Sequence, residues 1–528
     1  MAVLEIINQT NSILRQKSAQ VEEINDEIRQ IIIDLKDTLA NTEGVGIAAP
    51  QIGILKRIVY VNFEDKEYIL INPKIIMQEG KIKDYEGCLS VQEVEYKHIS
   101  AKVERAFLVE VQALNEQGEE INIVADGTLA RIFQHEIDHL DGILYIDKDI
   151  EDIQKFKTSE EWKKWKEERK NKKKPKVLLG MSGGVDSSVA AVVLKEMGYE
   201  VIGSTMKLWE DKENPEIEGG CCSFSATYDA KRVCDKLEIP HYTLNCEEEF
   251  QAHVIDDFIC CYKNCKTPNP CIECNRYLKF GAFYKKALEL ECDYVATGHY
   301  AKIEYMEEYK QYVMKKSEAD KKDQTYFLYS IPKEVLPKIV YPLESFKEKE
   351  NIRKIAEIHD LNVAHKKDSQ EVCFIPDNNY VNFLQKNIKE KEKKGNIVLK
   401  DGTIIGKHEG LIHYTIGQRK GIGVSYKNPL YVIGLNKEKN EVIVGEEKEL
   451  YKKELQAKDC NFLLDIDLSK EIKVMAKVRY RAKEAKATLT VKNNIAYVVF
   501  EEEQRAITPG QSVVFYINDV VLGGGKII

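Results

Sequence analysis

Three groups of residues in this 528-residue chain have types and spacing suited to chemistry. The first is "QHEIDH", where His135 and His139 stand four positions apart. On a helix that interval puts both imidazoles on one face, able to hold one metal ion, with Glu136 beside them as a general base. Two helix histidines in ordinary polar contacts would carry the same spacing, so a third ligand decides. No His follows in "LDGILYIDKDIED", whereas Cys88, the one cysteine before residue 200, lies upstream in "DYEGCLSV". A glycine-rich bend, "EGVGIAAPQIG", adds Gln51, whose side-chain amide can donate to an oxyanion. A thiolate and two imidazoles leave one position open on a divalent ion, where water is activated while a carboxylate moves the proton.

The second group is "SGGVDSS", Ser182 to Ser188, set between an apolar run, "KVLLGM", and a helical pattern, "SVAAVVLKEMG". Backbone amides and the helix dipole at such a junction bind phosphate. No Lys follows the second glycine to reach outer phosphates, and no GxGxxG suggests a dinucleotide; the bland alternative is a plain glycine turn. The third group is the thiols Cys271 and Cys274 in "TPNPCIECN", with Cys373 in "QEVCFIPD". Such a set can bind zinc or an iron–sulfur cluster, or act as a redox pair.

The elements that position these groups follow from composition and pattern. The length predicts three or four domains. With 43% hydrophobic and 31% charged residues the chain reads as soluble and globular, and no apolar run approaches a membrane span. The N-terminus has no signal-peptide pattern, so the expected location is cytoplasmic, and thirteen cysteines then point to metal or redox chemistry rather than disulfides. Residues 151–175, mostly charged, predict a solvated helical linker with a capping box at Thr158 and Glu161 and a basic tail. Beyond it, apolar runs alternating with amphipathic helices predict a doubly wound parallel sheet, and the last eighty or so residues a small β barrel or sandwich.

The three motifs of the first region, Gly44–Gln51, Glu86–Ser90 and Gln134–His139, resemble those of peptide deformylases in the same order. The resemblance implies an α+β metal domain over residues 1–150, with Cys88, His135 and His139 holding a divalent metal, Fe²⁺ or another such as Zn²⁺ or Ni²⁺. It makes Glu136 the general base and acid, and gives Gln51 and the Leu89 amide to the oxyanion formed from a formyl group. The substrate would be formyl-Met of nascent peptides at the ribosome. One departure stands out: after "EGCLSV" this chain has Gln92 where many members continue with Pro, which leaves the peptide preference open.

"SGGVDS" resembles the PP-loop ATP pyrophosphatases, which adenylate a carbonyl oxygen. With "GGCCS", "ATGHYA", "KKDQTYFL", "TIGQRKGIG" and "RYRA" in order as well, residues 176–528 resemble the bacterial tRNA-specific 2-thiouridylases. That resemblance implies a PP-loop domain of the adenine nucleotide alpha hydrolase-like type (176–375), a small central tRNA-binding domain (376–447) and a C-terminal β-barrel domain (448–528). ATP with Mg²⁺ would meet Gly180, Met181, Ser182, Gly183, Gly184, Val185, Asp186, Ser187, Met206 and Gly298. Cys274 would be the nucleophile and Cys373 the persulfide carrier, fed by a sulfur-relay protein or cysteine desulfurase. Cys271 stands where some members have Asp, which leaves a cluster-bound variant open.

A net charge of −9 requires the cations for a tRNA partner to be local. In "EIKVMAKVRYRAKEA" Ile472, Val474, Ala476 and Val478 alternate with Lys473, Lys477, Arg479, Arg481 and Lys483, a basic strip on one strand face or a lysine-guarded edge. By resemblance the tRNA contacts are Arg479 and Tyr480, Lys322, Asp323 and Gln324, Asn269, Pro270 and Cys271, His299 and Gln511. They would hold wobble uridine 34 of Glu-, Gln- or Lys-type tRNA near the thiols. The expected whole is a bifunctional, multidomain α+β and α/β enzyme. The competing readings are an inactive N-terminal scaffold and, for the second region, an ATP-dependent ligase or amidotransferase.

Overall fold

A computed structural model of the chain describes residues 3–209, 224–319, 321–366, 372–375, 377, 379–388 and 392–528. The "GGCCS" stretch with Cys221 and Cys222, and Asp368 to Glu371 before Cys373, lie outside the described residues. The chain divides into two compact units: Met1–Pro175 with Ala191–Glu200 and Ser345–Ala364, and Lys176–Ala190 with Val201–Glu344 and His365–Ile528. Among the described residues no helix is long and apolar enough to cross a membrane.

In the first unit, strands Gly46–Ala48, Ile58–Phe63, Lys66–Glu79, Leu108–Leu114 and Glu120–Asp126 form a five-stranded antiparallel sheet. Strand Ile58–Phe63 shows why both of its faces are covered. Val59 and Val61 pack with Phe133, Ile137 and Leu140 of helix Gly127–Leu140, while Ile58 and Tyr60 pack with Ile28, Ile32 and Leu35 of helix Asp26–Ala40. Period-two strands and apolar residues at helical spacing thus bury two faces at once. A second, three-stranded sheet joins Ile82–Gly87, His98–Arg105 and Ile150–Phe156.

The third strand of that sheet corrects the linker expectation, because residues 150–156 are part of the metal-site unit. The helix that follows, Ser159–Asn171, has the expected capping box, with Glu161 N–H donating to Thr158 Oγ1 at 3.2 Å. It is not merely solvated: Trp162 stacks on His98 with ring centroids 4.7 Å apart, and Trp165 meets Tyr85 edge-on at 5.0 Å. Arg169 lies over Tyr85 and pairs with Asp84. Two tryptophans outweigh a charged average, since each buries a large apolar area and aromatic pairs add about 0.5–1.5 kcal/mol beyond it.

The second unit is built around a parallel sheet in the order His241–Asn245, Glu200–Lys207, Lys176–Gly180, Tyr294–Thr297, Ile339–Val340. The apolar run Val177–Leu179 is wholly buried, as a central parallel strand must be. Four short strands between Gly395 and Gly445 form a separate small sheet. Six strands between Tyr451 and Ile527 close into a barrel, the last pairing with both Tyr451–Phe462 and Ser512–Ile517. The alternation read around Val474 holds only within strand Ile472–Lys477, where Val474 and Ala476 are buried and Lys473 is exposed; Arg479, Arg481 and Lys483 lie in the turn beyond it and not on a strand face.

Candidate metal centre and nucleotide–thiol site

Helix Gly127–Leu140 carries His135 and His139 on one buried face, with ring centroids 5.0 Å apart. The turn after strand Ile82–Gly87 brings Cys88 to them, its Sγ 3.2 Å from His139 Nε2. Among the described residues, Cys88, His135 and His139 are the one group of potential metal ligands whose donor atoms all lie within 4.8 Å of one another. A thiol and two imidazoles at that separation fit a divalent transition metal with an open position. Burial, and then the neighbouring His135, hold His139 well below its ordinary pKa, in the neutral form that ligates.

Around the three ligands the chain has arranged polar groups with few choices. Gln51 Oε1 accepts from the Ala48 N–H at 2.8 Å, which turns its amide nitrogen toward Cys88 Sγ (3.7 Å) and Ser90 Oγ (3.3 Å). The Ser90 N–H points at Cys88 Sγ from 3.4 Å. Leu89, half-buried between them, completes the turn. Glu136 lies against Gly46, where a Cβ would stand 2.6 Å from Oε1; only glycine leaves room for that carboxylate. Its Oε2 is buried without a hydrogen-bond partner, and burial pushes the carboxyl up to about 7.

A network not assigned from the sequence sits behind the ligands. Glu86 Oε2 meets His135 Nδ1 at 2.9 Å, which fixes the ring so that Nε2 faces the cysteine side. Arg105 grips the same carboxylate with two bonds of 2.8 Å, and Arg131 adds a third of 2.8 Å. Burial opposes the charge on Glu86, but the Arg105 and His135 hydrogen bonds outweigh it and hold the carboxyl far below the usual range. The signal was present in the quoted motif, since Glu86 is its first residue; its cationic partners are far away in sequence. Gln92, the departure noted above, donates to the Leu89 carbonyl at 3.2 Å, and its own carbonyl accepts from Gln9 Nε2 at 2.9 Å.

In the second unit, the loop after strand Lys176–Gly180 leads into helix Val185–Glu196. Ser187 Oγ accepts from the Ser182 N–H at 3.2 Å and donates to the Gly184 carbonyl at 3.1 Å, closing the loop on itself. Gly183 has φ +66° and a Cβ there would stand 2.2 Å from the Ala226 carbonyl oxygen, so this position requires glycine twice over. Gly298 is pressed against the same loop, 2.9 Å from Ser187 N if it carried a Cβ, and Tyr300 OH donates to Asp186 at 2.8 Å. Thr205 Oγ1 reaches the Met181 carbonyl at 3.0 Å, which brings the end of the strand carrying Met206 beside the loop. Gly180 to Ser187, Met206 and Gly298 are therefore gathered at the carboxyl ends of neighbouring parallel strands, where open α/β sheets bind ligands.

Two of the three thiols belong to one apolar cluster of the same unit. Asn269 caps a turn, Pro270–Glu273, that continues into the wider π geometry over Cys274–Ala282. Cys271 is exposed, Cys274 buried and Cys373 half-buried, and Cys274 and Cys373 pack in one cluster with Phe250 and Phe374. These three are not among the gathered ligand groups, so a cluster held by them finds no support among the described residues. His299 bridges the two halves of the site: its Nδ1 meets Thr297 Oγ1 at 2.7 Å and its Nε2 lies 3.4 Å from Lys279 Nζ, on the helix of Cys274. Burial, and then that ammonium, keep His299 well below its ordinary pKa. Glu273, buried between the two cysteines and unremarked in the sequence, pairs with Lys526 of the last strand at 3.0 Å.

Comparison with known proteins now has a geometry to explain. Residues 3–156 match the family model for polypeptide deformylase, 175–377 the tRNA methyl transferase HUP domain, 381–446 the tRNA methyl transferase PRC-barrel domain and 452–527 the aminomethyltransferase beta-barrel domain. The tRNA-specific 2-thiouridylase MnmA of Clostridioides difficile (strain 630) is 52% identical over 353 residues, 67% of this chain and 98% of its own. The chain belongs to the tRNA-specific 2-thiouridylase family. A peptide deformylase domain precedes the thiouridylase part in the same chain. The thiouridylase of Acetivibrio thermocellus is 50% identical over 357 residues, 67% of this chain and 99% of its own. Among solved structures, the peptide deformylase of Synechococcus elongatus with actinonin is 39% identical, covering 28% of this chain and 79% of that one at a TM-score of 0.26. That of Thermotoga maritima is 31% identical, covering 28% and 98% at 0.27.

Within the thiouridylase part, several positions expected to touch tRNA have side chains engaged in the protein itself. Gln511 Nε2 donates to the Thr267 and Pro268 carbonyls at 3.1 and 3.0 Å, clasping the loop that leads to Asn269, Pro270 and Cys271. Asp323 is buried, accepting from Thr325 Oγ1 at 2.6 Å, and Gln324 Oε1 accepts from the Tyr300 N–H at 3.0 Å. Tyr480 lies 4.4 Å from Phe327, and Lys477 sits over its ring at 5.4 Å, which ties the basic strip of Arg479 to the segment after Lys322.

Proposed function

We propose that the chain removes the formyl group from formyl-Met peptides with its first unit and installs sulfur at C2 of wobble uridine 34 in tRNA with its second. The observation that carries the first reading is the convergence of Cys88, His135 and His139 beside an amide donor, Gln51, and a buried carboxylate, Glu136. Cys88, His135 and His139 would hold the divalent ion, with Fe²⁺ the native choice. When bound, that ion supplies Lewis acidity and brings the pKa of water toward neutrality. Gln51 Nε2 and the Leu89 N–H would donate to the oxygen of the formyl group as it gains charge. Glu136 would take a proton from the attacking water and return it to the amine as the C–N bond breaks and formate leaves.

In the second unit, the loop from Gly180 to Ser187, with Met206 and Gly298, would hold ATP and Mg²⁺. The uridine O2 attacks the α-phosphorus, an O–P bond forms, and the bond to pyrophosphate breaks with its electron pair leaving on that product. The terminal sulfur of a persulfide on Cys373 then attacks C2, and AMP departs with the former O2. Cys274 thiolate attacks Cys373 Sγ, which leaves the sulfur on C2 and the two cysteines as a disulfide; a thiol reductant and a persulfide-bearing sulfur donor restore them. The bridge from Gly298 through His299 and Lys279 to the helix of Cys274 supports this reading, because it ties the loop that would activate O2 to the thiol that would finish the transfer.

The test is one purified full-length preparation, handled without oxygen, assayed twice. Formate released from a formyl-Met peptide, and 2-thiouridine formed in unmodified tRNA only with ATP and a persulfide donor, are the expected results. Metal bound without deformylation would favour the scaffold reading; ATP turnover without thiolation in the presence of the donor would favour the ligase.

A further inference from the structure

The phosphate loop carries no lysine of its own, yet the structure brings one to it. Lys366 Nζ donates to the carbonyl of Gly183, inside the loop, at 3.0 Å, and to Asp229 Oδ2 at 2.7 Å. Asp229 lies on helix Phe224–Lys236, the helix whose first turn packs against Gly183 through Ala226. We propose that Lys366 is a nucleotide-binding residue that supplies, from a distant part of the chain, the positive charge for the outer phosphates of ATP. This rests on the reading of the loop as an ATP site.

A helix N-terminus contributes only about half a positive charge, against the several negative charges of a nucleotide triphosphate. Hydroxyls also meet the loop: Ser182 and Ser187 within it and, through Asp186, Tyr300. An ammonium 3.0 Å from a loop carbonyl stands within one hydrogen-bond length of the backbone that would cradle phosphate. Lysine serves phosphate as a compact, flexible point charge, so it can turn from a carboxylate to a ligand oxygen without losing its hold on the loop. Asp229 explains how the charge is kept in place: the pair is partly exposed, with side chains 37% and 24% accessible, so the contact stays hydrated. The position also suits the chemistry, since charge builds on pyrophosphate as the O–P bond to it breaks.

The proposal is read by calorimetric titration of the full chain with ATP, pyrophosphate and AMP, each with Mg²⁺, in wild type, Lys366→Met and Lys366→Arg. Losing a charge-assisted contact should weaken ATP and pyrophosphate binding roughly 10- to 100-fold, with AMP, which lacks the outer phosphates, unchanged. Lys366→Arg should restore most of the loss, and all three proteins should melt alike. Unchanged ATP affinity in Lys366→Met, or AMP weakened as much as ATP, would overturn the assignment. If wild type binds none of the three, the ATP-site reading itself fails, a result distinct from a selective defect.

Discussion

In the metal centre, two of three ligands lie one turn apart on a single helix and the third in a tight turn, and one of them, His135, is fixed by a buried carboxylate held between two guanidiniums. In the nucleotide–thiol site the groups come from a loop, a strand end, a π-widened helix and a segment near Cys373, joined by single contacts such as His299 to Lys279 and Lys366 to Gly183. The difference teaches what each reaction requires. Hydrolysis at one metal needs a rigid cage of small extent. A transfer that handles ATP, a macromolecular base and a persulfide in turn needs several elements that meet at one place and can release what they hold.

Cys373→Ser should abolish thiolation outright while ATP still binds, measured as 2-thiouridine by mass spectrometry of digested tRNA, because the proposed route then loses its sulfur carrier. In the metal centre, Glu136→Gln should lower deformylation roughly 10²- to 10⁴-fold with metal content intact, the usual range for a lost proton carrier. Glu86→Gln should act differently, since Glu86 touches no substrate: metal affinity should fall roughly 10- to 100-fold, measured by competition with a chelator. It should also lower the melting temperature, because Arg105 and Arg131 lose the carboxylate that pairs their buried charge.

The smallest effect concerns pH. His299 titrates well below its ordinary pKa in the folded chain, whereas the unfolded chain takes up its proton near pH 6.5. Between those two values the unfolded state binds more protons, so this residue's contribution is present above about pH 6.5 and is lost as pH falls below it. His299→Gln should flatten the acid-side decline in stability by at most about 1.4 kcal/mol per pH unit, read by calorimetry from pH 7 downward.

What could be read in advance followed the range of each interaction. The metal ligands were legible because helical spacing places His135 and His139 together and a short motif carries Cys88. The buried partners of Glu86 were not, because Arg105 and Arg131 reach it from a strand and a helix 19 and 45 positions away. The helix Ser159–Asn171 looked solvated because its charges dominate any average, while its fold is decided by Trp162 and Trp165 meeting His98 and Tyr85. The parallel sheet followed from the alternation of apolar runs and helices, whereas pattern alone left the last strands as barrel or sandwich and the resemblance pointed to the barrel. Lys366 was invisible because 183 positions separate it from Gly183, and Gln511 and Asp323 were legible as motif members but not as groups whose side chains turn inward.

The central claim is that one chain carries two complete and separate chemistries. It is tested most directly by assaying formate release and tRNA 2-thiolation side by side in full-length wild type, Glu136→Gln and Cys373→Ser. Two activities in the wild type, the first lost only with Glu136 and the second only with Cys373, is the predicted result. A wild type lacking either activity, or a substitution at one site that removes both, would contradict it.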